Sequence, residues 1–402
     1  MRVLSLIPDG YPTFRPDVVA LAGKYLPRHG VQTDLVTQVP ENGPAVETQW
    51  GGGQVSACRR TGSRMRDQLI GFAHDLRTLW RLPVGACDAI QVRDKVFAAI
   101  PALWLARRRG LPFFYWMSFP MSERYIAVVR DEGRSVGLAR WLFLAVKGYL
   151  GKALLYRYLL PRCPCTFVQS DRMAQDVASQ GIDPAHVFAV PMGVDLEKPL
   201  PPLIPPQARH ARLGGQRVVA YLGTFDRPRK LEFLLEVLCE LAEDIPNVTL
   251  LMIGGGPTAD DTIRLQNHAR TLGVGDRIVW TGWVGSDEAW RWLVQADVAV
   301  SLFPRGELLD SASPTKVVEY LALGLPVVAN DQPDQDAVLR GSGAGLSVPM
   351  THKAFRAALL HSLSDQGFAA RARMAGPDWV AAHRSYDKLA ARVAEVYLSH
   401  AT

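Results

Sequence analysis

Strand-length apolar runs alternate with helical patterns along almost the whole chain. In the first half the runs are RVLSLI (2–7), TDLVT (33–37), DAIQV (88–92), PFFYWM (112–117), CTFVQS (165–170) and HVFAVP (186–191). In the second they are RVVAYLG (217–223), VTLLMIG (248–254), RIVWT (277–281), DVAVSLF (297–303), PVVA (326–329) and AGLSV (344–348). Strands separated by helices pair in parallel, and the helices cover both faces of the sheet. The pattern therefore predicts an α/β protein with two similar sheets.

A chain of 402 residues is too long for one ordinary core. PLPPLIPPQARHARLGGQ (199–216) is Pro-rich and then Gly-containing, as an interdomain linker should be. Expected domains are thus 1–198 and 217–376, followed by one helix over 377–402 with Trp379, Leu389, Val393, Val396 and Tyr397 as its buried side. That helix can pack on either domain, and a return to the first is the expected arrangement. Two Rossmann-like domains facing a central cleft would bind ligands beyond the carboxyl ends of their strands.

The five cysteines, Cys58, Cys87, Cys163, Cys165 and Cys239, form no disulfide or zinc framework, and the Cys-Pro-Cys pair reads as two buried thiols rather than a redox or metal element. The N-terminal apolar run is cut by Pro8 and Asp9, too early for a signal peptide, and no run of about twenty apolar residues could span a membrane. A cytoplasmic protein is expected, with any membrane contact peripheral and at the inner face. Charge is uneven: residues 1–198 hold 25 Lys and Arg against 17 Asp and Glu, whereas the rest hold 20 against 22. Between Arg134 and Arg162 six basic residues, Arg140, Lys147 and Lys152 among them, stand between aromatic and leucine side chains with no acid. This segment suits either an anionic membrane or a buried helix pair broken at Gly148 and Gly151.

Three motifs fall at carboxyl ends of second-half strands. SASPTKVVEYLALGLPVVA (311–329) reads as a helix with Ser313 at its N-cap, Pro314 at its first position and Gly324 at its end. Lys316 then lies in the first turn, where an acid is favoured; an anion held by the free amides and Lys316 explains this, and so does a solvated lysine. LGTFDRPRK gathers Arg227, Arg229 and Lys230, suited to a diphosphate or to a solvated basic turn. Gly254, Gly256 and Ala259 fit G-x-G-x-x-A loosely, but the next strand ends in GWV without an acid for a ribose, so a tight glycine turn is the better reading. Glu319 can line the same cleft or stand as an ordinary helix glutamate. Asp334 and Asp336 read as solvated loop residues rather than a metal pair, and no zinc pattern occurs among the histidines.

The ordered set VVAYLGTFDRPRK, LLMIGGGP, RIVWTGWV, ADVAVSLFP and SPTKVVEYLALGLPVVA, preceded by TFVQS and VFAVPMGVD, resembles the family 4 glycosyltransferases of the GT-B fold. The resemblance covers most of residues 165–348, while the first 160 match only in general layout. It implies retaining transfer of a hexosyl group from a nucleotide-sugar donor, with no cofactor and no obligatory metal. Arg229 and Lys230 match the basic pair on the donor diphosphate. Gly223, Thr224, Gly254, Ser313, Pro314, Thr315 and Lys316 surround it, although the Lys316 side chain need not touch the ligand, and Glu319 matches the second glutamate of the family's E-x7-E motif, which contacts the ribose.

Two departures stand out. Ser311 occupies the first glutamate position, in an S-P-x-K variant, and Thr224 stands where an arginine is usual. Glu319, Lys230 and Ser311 are the candidate catalytic positions. The family's first-domain histidine has no counterpart in YWMSFPMSERY, where Ser118 and Glu123 are the nearest polar groups. The expected partners are a nucleotide sugar and a glycan or lipid-linked acceptor of surface polysaccharide, lipopolysaccharide or glycolipid assembly, with no nucleic acid. A sugar-nucleotide epimerase and a non-catalytic module binding nucleotide sugar or nucleic acid remain as alternatives.

Overall fold

The computed structural model describes residues 1–43 and 49–401. It divides into two compact units, Met1–Met192 with Tyr386–Thr402, and Gly193–Ser385.

The first unit is built on eight strands: β1 (Arg2–Gly10), β2 (Gln32–Val39), β3 (Gln49–Trp50), β4 (Gly53–Arg59), β5 (Ala89–Arg93), β6 (Phe113–Met117), β7 (Thr166–Val168) and β8 (Val187–Ala189). Their order is β3-β4-β2-β1-β5-β6-β7-β8, parallel throughout except for the antiparallel pair β3–β4. That edge pair is unannounced by the sequence because its segment is Gly-rich and polar. Successive residues of a strand face opposite sides: Leu4 and Leu6 pack with the helix Val96–Arg109, whereas Val3 packs with the helical segment Asp17–Tyr25.

The C-terminal helix closes this second face. Leu389, Val393 and Tyr397 are buried against Phe114 and Phe167; Tyr397 meets Phe114 edge-on at 4.9 Å and donates its hydroxyl hydrogen to Gln91. Each such apolar side chain contributes about 1.5–3 kcal/mol by leaving water, so the return to the first unit is strongly favoured. The stretch read as one helix from 377 is in fact two, Gln366–His383 and Tyr386–Ser399. Pro377 lies inside the first of them, and the break falls at Arg384, whose side chain is drawn into a buried ion pair.

The basic stretch is likewise not two helices parted at its glycines: Leu138 to Arg162 is helical throughout, with wider and tighter turns. Gly148 and Gly151 serve instead for close approach, since a Cβ on Gly148 would strike Ile126 and one on Gly151 would crowd Ser122. Cys163 and Cys165 are buried, and burial pushes both thiols up to about 12.

The second unit contains β9 (Arg217–Leu222), β10 (Val248–Ile253), β11 (Ile278–Gly282), β12 (Val298–Ser301), β13 (Val327–Asn330) and β14 (Gly345–Val348). All pairs are parallel, in the order β11-β10-β9-β12-β13-β14. All six correspond to the apolar runs read above. The 199–216 stretch is pinned to this unit, because Arg209 makes a two-point ion pair with Asp297 at 3.0 and 2.7 Å, and the same carboxylate accepts from the Val218 amide. Chain order reverses between β9 and β12, so their carboxyl ends splay and leave a crevice of the kind that holds ligands.

Candidate functional site

Three loops leave the carboxyl ends of β9, β10 and β12 around that crevice. After β9 the chain passes Gly223, at φ +146°, then Thr224, and after a short turn reaches Lys230, held left-handed at φ 52°. A Cβ on Gly254 would strike the Gly223 carbonyl, so the first two loops touch backbone to backbone. This bears out the tight glycine turn.

The cations of the first loop are held differently. The Arg229 guanidinium lies over the Phe303 ring at 4.1 Å and 3.5 Å from Asp226, with Nη1 buried and without a partner. Lys230 is exposed, and its side chain makes no ion pair among the described residues. A half-buried guanidinium beside an exposed ammonium offers a diphosphate two points of charge-assisted contact.

The third loop ends in the helix Thr315–Ala322, preceded by Pro314 at ψ 119°. Ser313 does not cap it as expected. Its hydroxyl donates instead to Asp334 at 2.7 Å, and Asp334 in turn pairs with Arg384 at 2.7 Å. Asp334 therefore corrects the solvated-loop reading: it is buried, in the first turn of the helix Pro333–Ser342. Asp336 in the same helix pairs with Arg340. With no side chain capping the Thr315–Ala322 helix and no acid in its first turn, its leading amides remain available to an anion.

Gln332 fixes the path of this loop by donating to the carbonyls of Leu309, Asp310 and Ala312, while Asn330 holds both backbone groups of Phe303. Sequence reasoning missed both, since NDQPDQD looks like a solvated turn. The signal available was its position directly after a buried strand. Ser311 is buried 3.5 Å from the Glu307 carbonyl.

Lys316 and Glu319 follow one turn apart on the helix. Lys316 Nζ donates to the Tyr221 hydroxyl at 2.9 Å. Burial, and then neighbouring Arg229, pull its amine down to about 7. Burial raises the Glu319 carboxyl to about 7, against the pull of Lys316 and Lys198. Among the described residues no group of three or more His, Cys, Asp or Glu side chains could hold a metal ion.

In the first unit, Ser118 and Glu123 are kept apart in function. Ser118 donates its amide to Asp94 at 2.9 Å and its hydroxyl to the same carboxylate. Asp94 is left-handed at φ 52° and ends β5 beside Arg93, which pairs with Asp17 and approaches Asp9 at 3.8 Å. This polar cluster at the carboxyl edge of β1 and β5 was also missed, although the charged trio RDK directly after a buried run was its signal. Burial raises the Asp94 carboxyl; burial would raise Asp17 too, but Arg93 and Arg15 hold it at about 2. Glu123 instead faces Lys152 at 3.4 Å. Lys147 donates to Gln68 at 2.7 Å, and Arg140 is exposed. In a depression lined by Glu240, Asp244, His352, Lys353 and Arg356, Glu240 meets His352 and Asp244 pairs with Arg356.

The family described as "Glycosyltransferase Family 4" matches residues 18–198, and "Glycosyl transferases group 1" matches residues 216–365. The chain belongs to the family 4, or group 1, glycosyltransferases. This glycosyltransferase is 29% identical over 342 residues, 83% of its own length and 79% of the other's, to a GDP-mannose-dependent alpha-(1-6)-phosphatidylinositol monomannoside mannosyltransferase of Mycolicibacterium smegmatis. A protein of the same name from Mycobacterium tuberculosis is 28% identical over 235 residues, and the match spans 57% of this chain and 60% of that protein. Among solved structures, sucrose-phosphate synthase from Thermosynechococcus elongatus superposes with a TM-score of 0.74, covering 99% of this chain and 98% of the other at 16% identity. The fold is thus GT-B, as the resemblance implied.

Proposed function

We propose that this glycosyltransferase moves a hexosyl group, with retention of configuration and no obligatory metal, from a nucleotide-sugar donor to a lipid-linked acceptor in glycolipid or surface-polysaccharide assembly. The observation that carries the reading is the placement, on the loops that leave β9 and β12, of the Arg229 guanidinium stacked on Phe303, the exposed Lys230 and the helix start at Thr315 with no side-chain cap. Positive charge fixed before the substrate arrives stabilises the diphosphate as it departs, and that is the main service such chemistry needs. The acceptor hydroxyl then attacks from the face the diphosphate leaves, passing its proton to a departing phosphate oxygen. The names of the relatives favour GDP-mannose as donor and a phosphoinositide-type glycolipid as acceptor.

A lipid-linked acceptor places the first unit at the inner face of the cytoplasmic membrane. Leu138, Leu142, Val146, Tyr149 and Leu150 are exposed on one helix, beside exposed Arg134 and Arg140. Each basic residue near an anionic leaflet is worth ~1 kcal/mol. No helix among the described residues is long and apolar enough to cross a membrane.

Product analysis with a panel of nucleotide sugars, each offered with phosphoinositide glycolipids, tests the reading. Hexosylated lipid with the donor's anomeric configuration is the expected product. An epimerised nucleotide sugar, or inverted configuration, overturns it. Co-sedimentation should rise with anionic lipid and fall with salt; no binding to anionic vesicles at low salt removes the membrane step.

A further inference from the structure

We infer that Lys316 is a third cation of the donor site, one that takes up a proton from solvent as the diphosphate binds and keeps it through the transfer. The inference rests on the proposed donor site and assigns a role to a side chain to which the family resemblance gives no necessary contact.

Placement comes first. Lys316 leaves the first turn of its helix and crosses to the end of β9, where Nζ meets the Tyr221 hydroxyl and lies 4.3 Å from that ring's centre. It rests so closely on the loop that a Cβ on Gly223 would overlap both Nζ and Cε. Gly223 must be glycine twice over, for its positive φ and for the room the lysine takes. The amine therefore touches the backbone of the same loop that delivers Arg229 and Lys230.

Its charge is poorly supported while the site is empty. Of the three hydrogens an ammonium can donate, one meets a protein acceptor among the described residues, the neutral phenol of Tyr221. No carboxylate lies within ion-pair distance of Nζ among the described residues; Asp226 and Glu319 act on it only from farther off, and Arg229 opposes its charge. Burial raises the Tyr221 hydroxyl further above its ordinary range, so that group brings no negative charge at neutral pH. A diphosphate seated on Arg229 and Lys230 supplies the missing counter-charge and reverses the balance. The step balances simply: the amine and one proton from solvent become the ammonium, and no bond to substrate is made or broken. Carried into the reaction, that ammonium opposes the charge growing on the leaving diphosphate.

Calorimetry of GDP and UDP binding to the full-length protein, at about pH 8 in two buffers of different ionisation enthalpy, reads the net proton uptake directly. The wild type should take up most of one proton. Lys316→Met should bind about tenfold more weakly and take up little. Lys316→Arg, charged at every working pH, should bind without uptake and keep its affinity as pH rises through 9, where the wild type weakens. Glu319→Gln should retain the uptake, which separates Lys316 from the other group that titrates near neutrality. Tight binding by the wild type with no net uptake, or uptake lost in Glu319→Gln and kept in Lys316→Arg, overturns the inference and leaves the donor site standing. Failure of the wild type to bind either nucleotide overturns both.

Discussion

Replacing Lys230 separates binding from folding more cleanly than any other change at the proposed donor site. The residue sits at φ 52° and ψ 47°, a conformation that costs a residue with a Cβ roughly 1–2 kcal/mol. Its side chain is exposed and has no ion pair to lose in the free protein, so Lys230→Ala should leave stability within about 0.5 kcal/mol of wild type. Lys230→Gly should gain up to about 1 kcal/mol, because relief of the left-handed strain exceeds the extra backbone freedom glycine gives the unfolded chain. In the bound state both variants lose one charge-assisted hydrogen bond to the diphosphate, about 1.5–3 kcal/mol, or roughly a 10- to 150-fold rise in Kd. Calorimetric titration with GDP and UDP, with thermal melts of the same samples, measures both sides. A Kd within about twofold of wild type in both variants would refute the placement of Lys230 on the diphosphate. A weaker Kd that tracks a lower Tm would show instead that the turn, not the charge, had been damaged.

Turnover should persist in excess EDTA, since the charge on the leaving group is met by Arg229, Lys230 and backbone amides; loss of activity restored by magnesium or manganese reverses this. Arg384→Ala should cost about 3–5 kcal/mol in chemical denaturation by leaving buried Asp334 uncompensated, and should weaken nucleotide binding by releasing Ser313. Leu389→Ala should cost about 2–5 kcal/mol by opening the contact of the C-terminal helix with the first unit; a change under about 0.5 kcal/mol would mean that this helix adds little to the fold. Asp17 has its folded carboxyl depressed from 3.8 to about 2, so its stabilisation, on the order of 2.5 kcal/mol, is present above about pH 4 and is lost as pH falls through 2. Asp17→Asn should flatten that part of the stability–pH profile, and an unchanged acid slope would contradict the assignment.

The second sheet was legible strand by strand because its strands are apolar runs, fully buried in β10, β12 and β13, bounded by Gly, Pro or a charged turn. Patterning reports burial, and burial is what such strands have in common. The loops of the proposed donor site were placed for a related reason: Arg229, Lys230 and the Ser-Pro turn stand after such strands. Side-chain partners chosen across the fold were not legible. Ser313 fits every local rule for an N-cap, yet its hydroxyl serves Asp334, 21 residues away, because a buried carboxylate gains more from that donor than an exposed amide loses. Gly148 and Gly151 fail in the opposite direction: glycine in a helix signals a break locally, whereas here a neighbouring helix packs against the bare backbone.

The charge of the donor site follows from these same choices. Where the family motif carries a first glutamate, this chain has Ser311, buried 3.5 Å from a backbone carbonyl, and in the first turn of the next helix it places Lys316 against the β9 loop. Relative to a chain with that glutamate and an apolar residue at 316, the site gains two units of positive potential when Lys316 is charged. An ammonium fixed permanently near Arg229 would carry a cost without a bound anion, since the two like charges repel. On the inference drawn above, a lysine at 316 would avoid that cost, because burial and Arg229 pull its amine down and the anion would restore its proton. An arginine could not do this, because its guanidinium stays charged at every working pH. On that inference, lysine at 316 and arginine at 229, whose guanidinium is stacked on Phe303, would differ in which of them has to remain charged in the absence of donor.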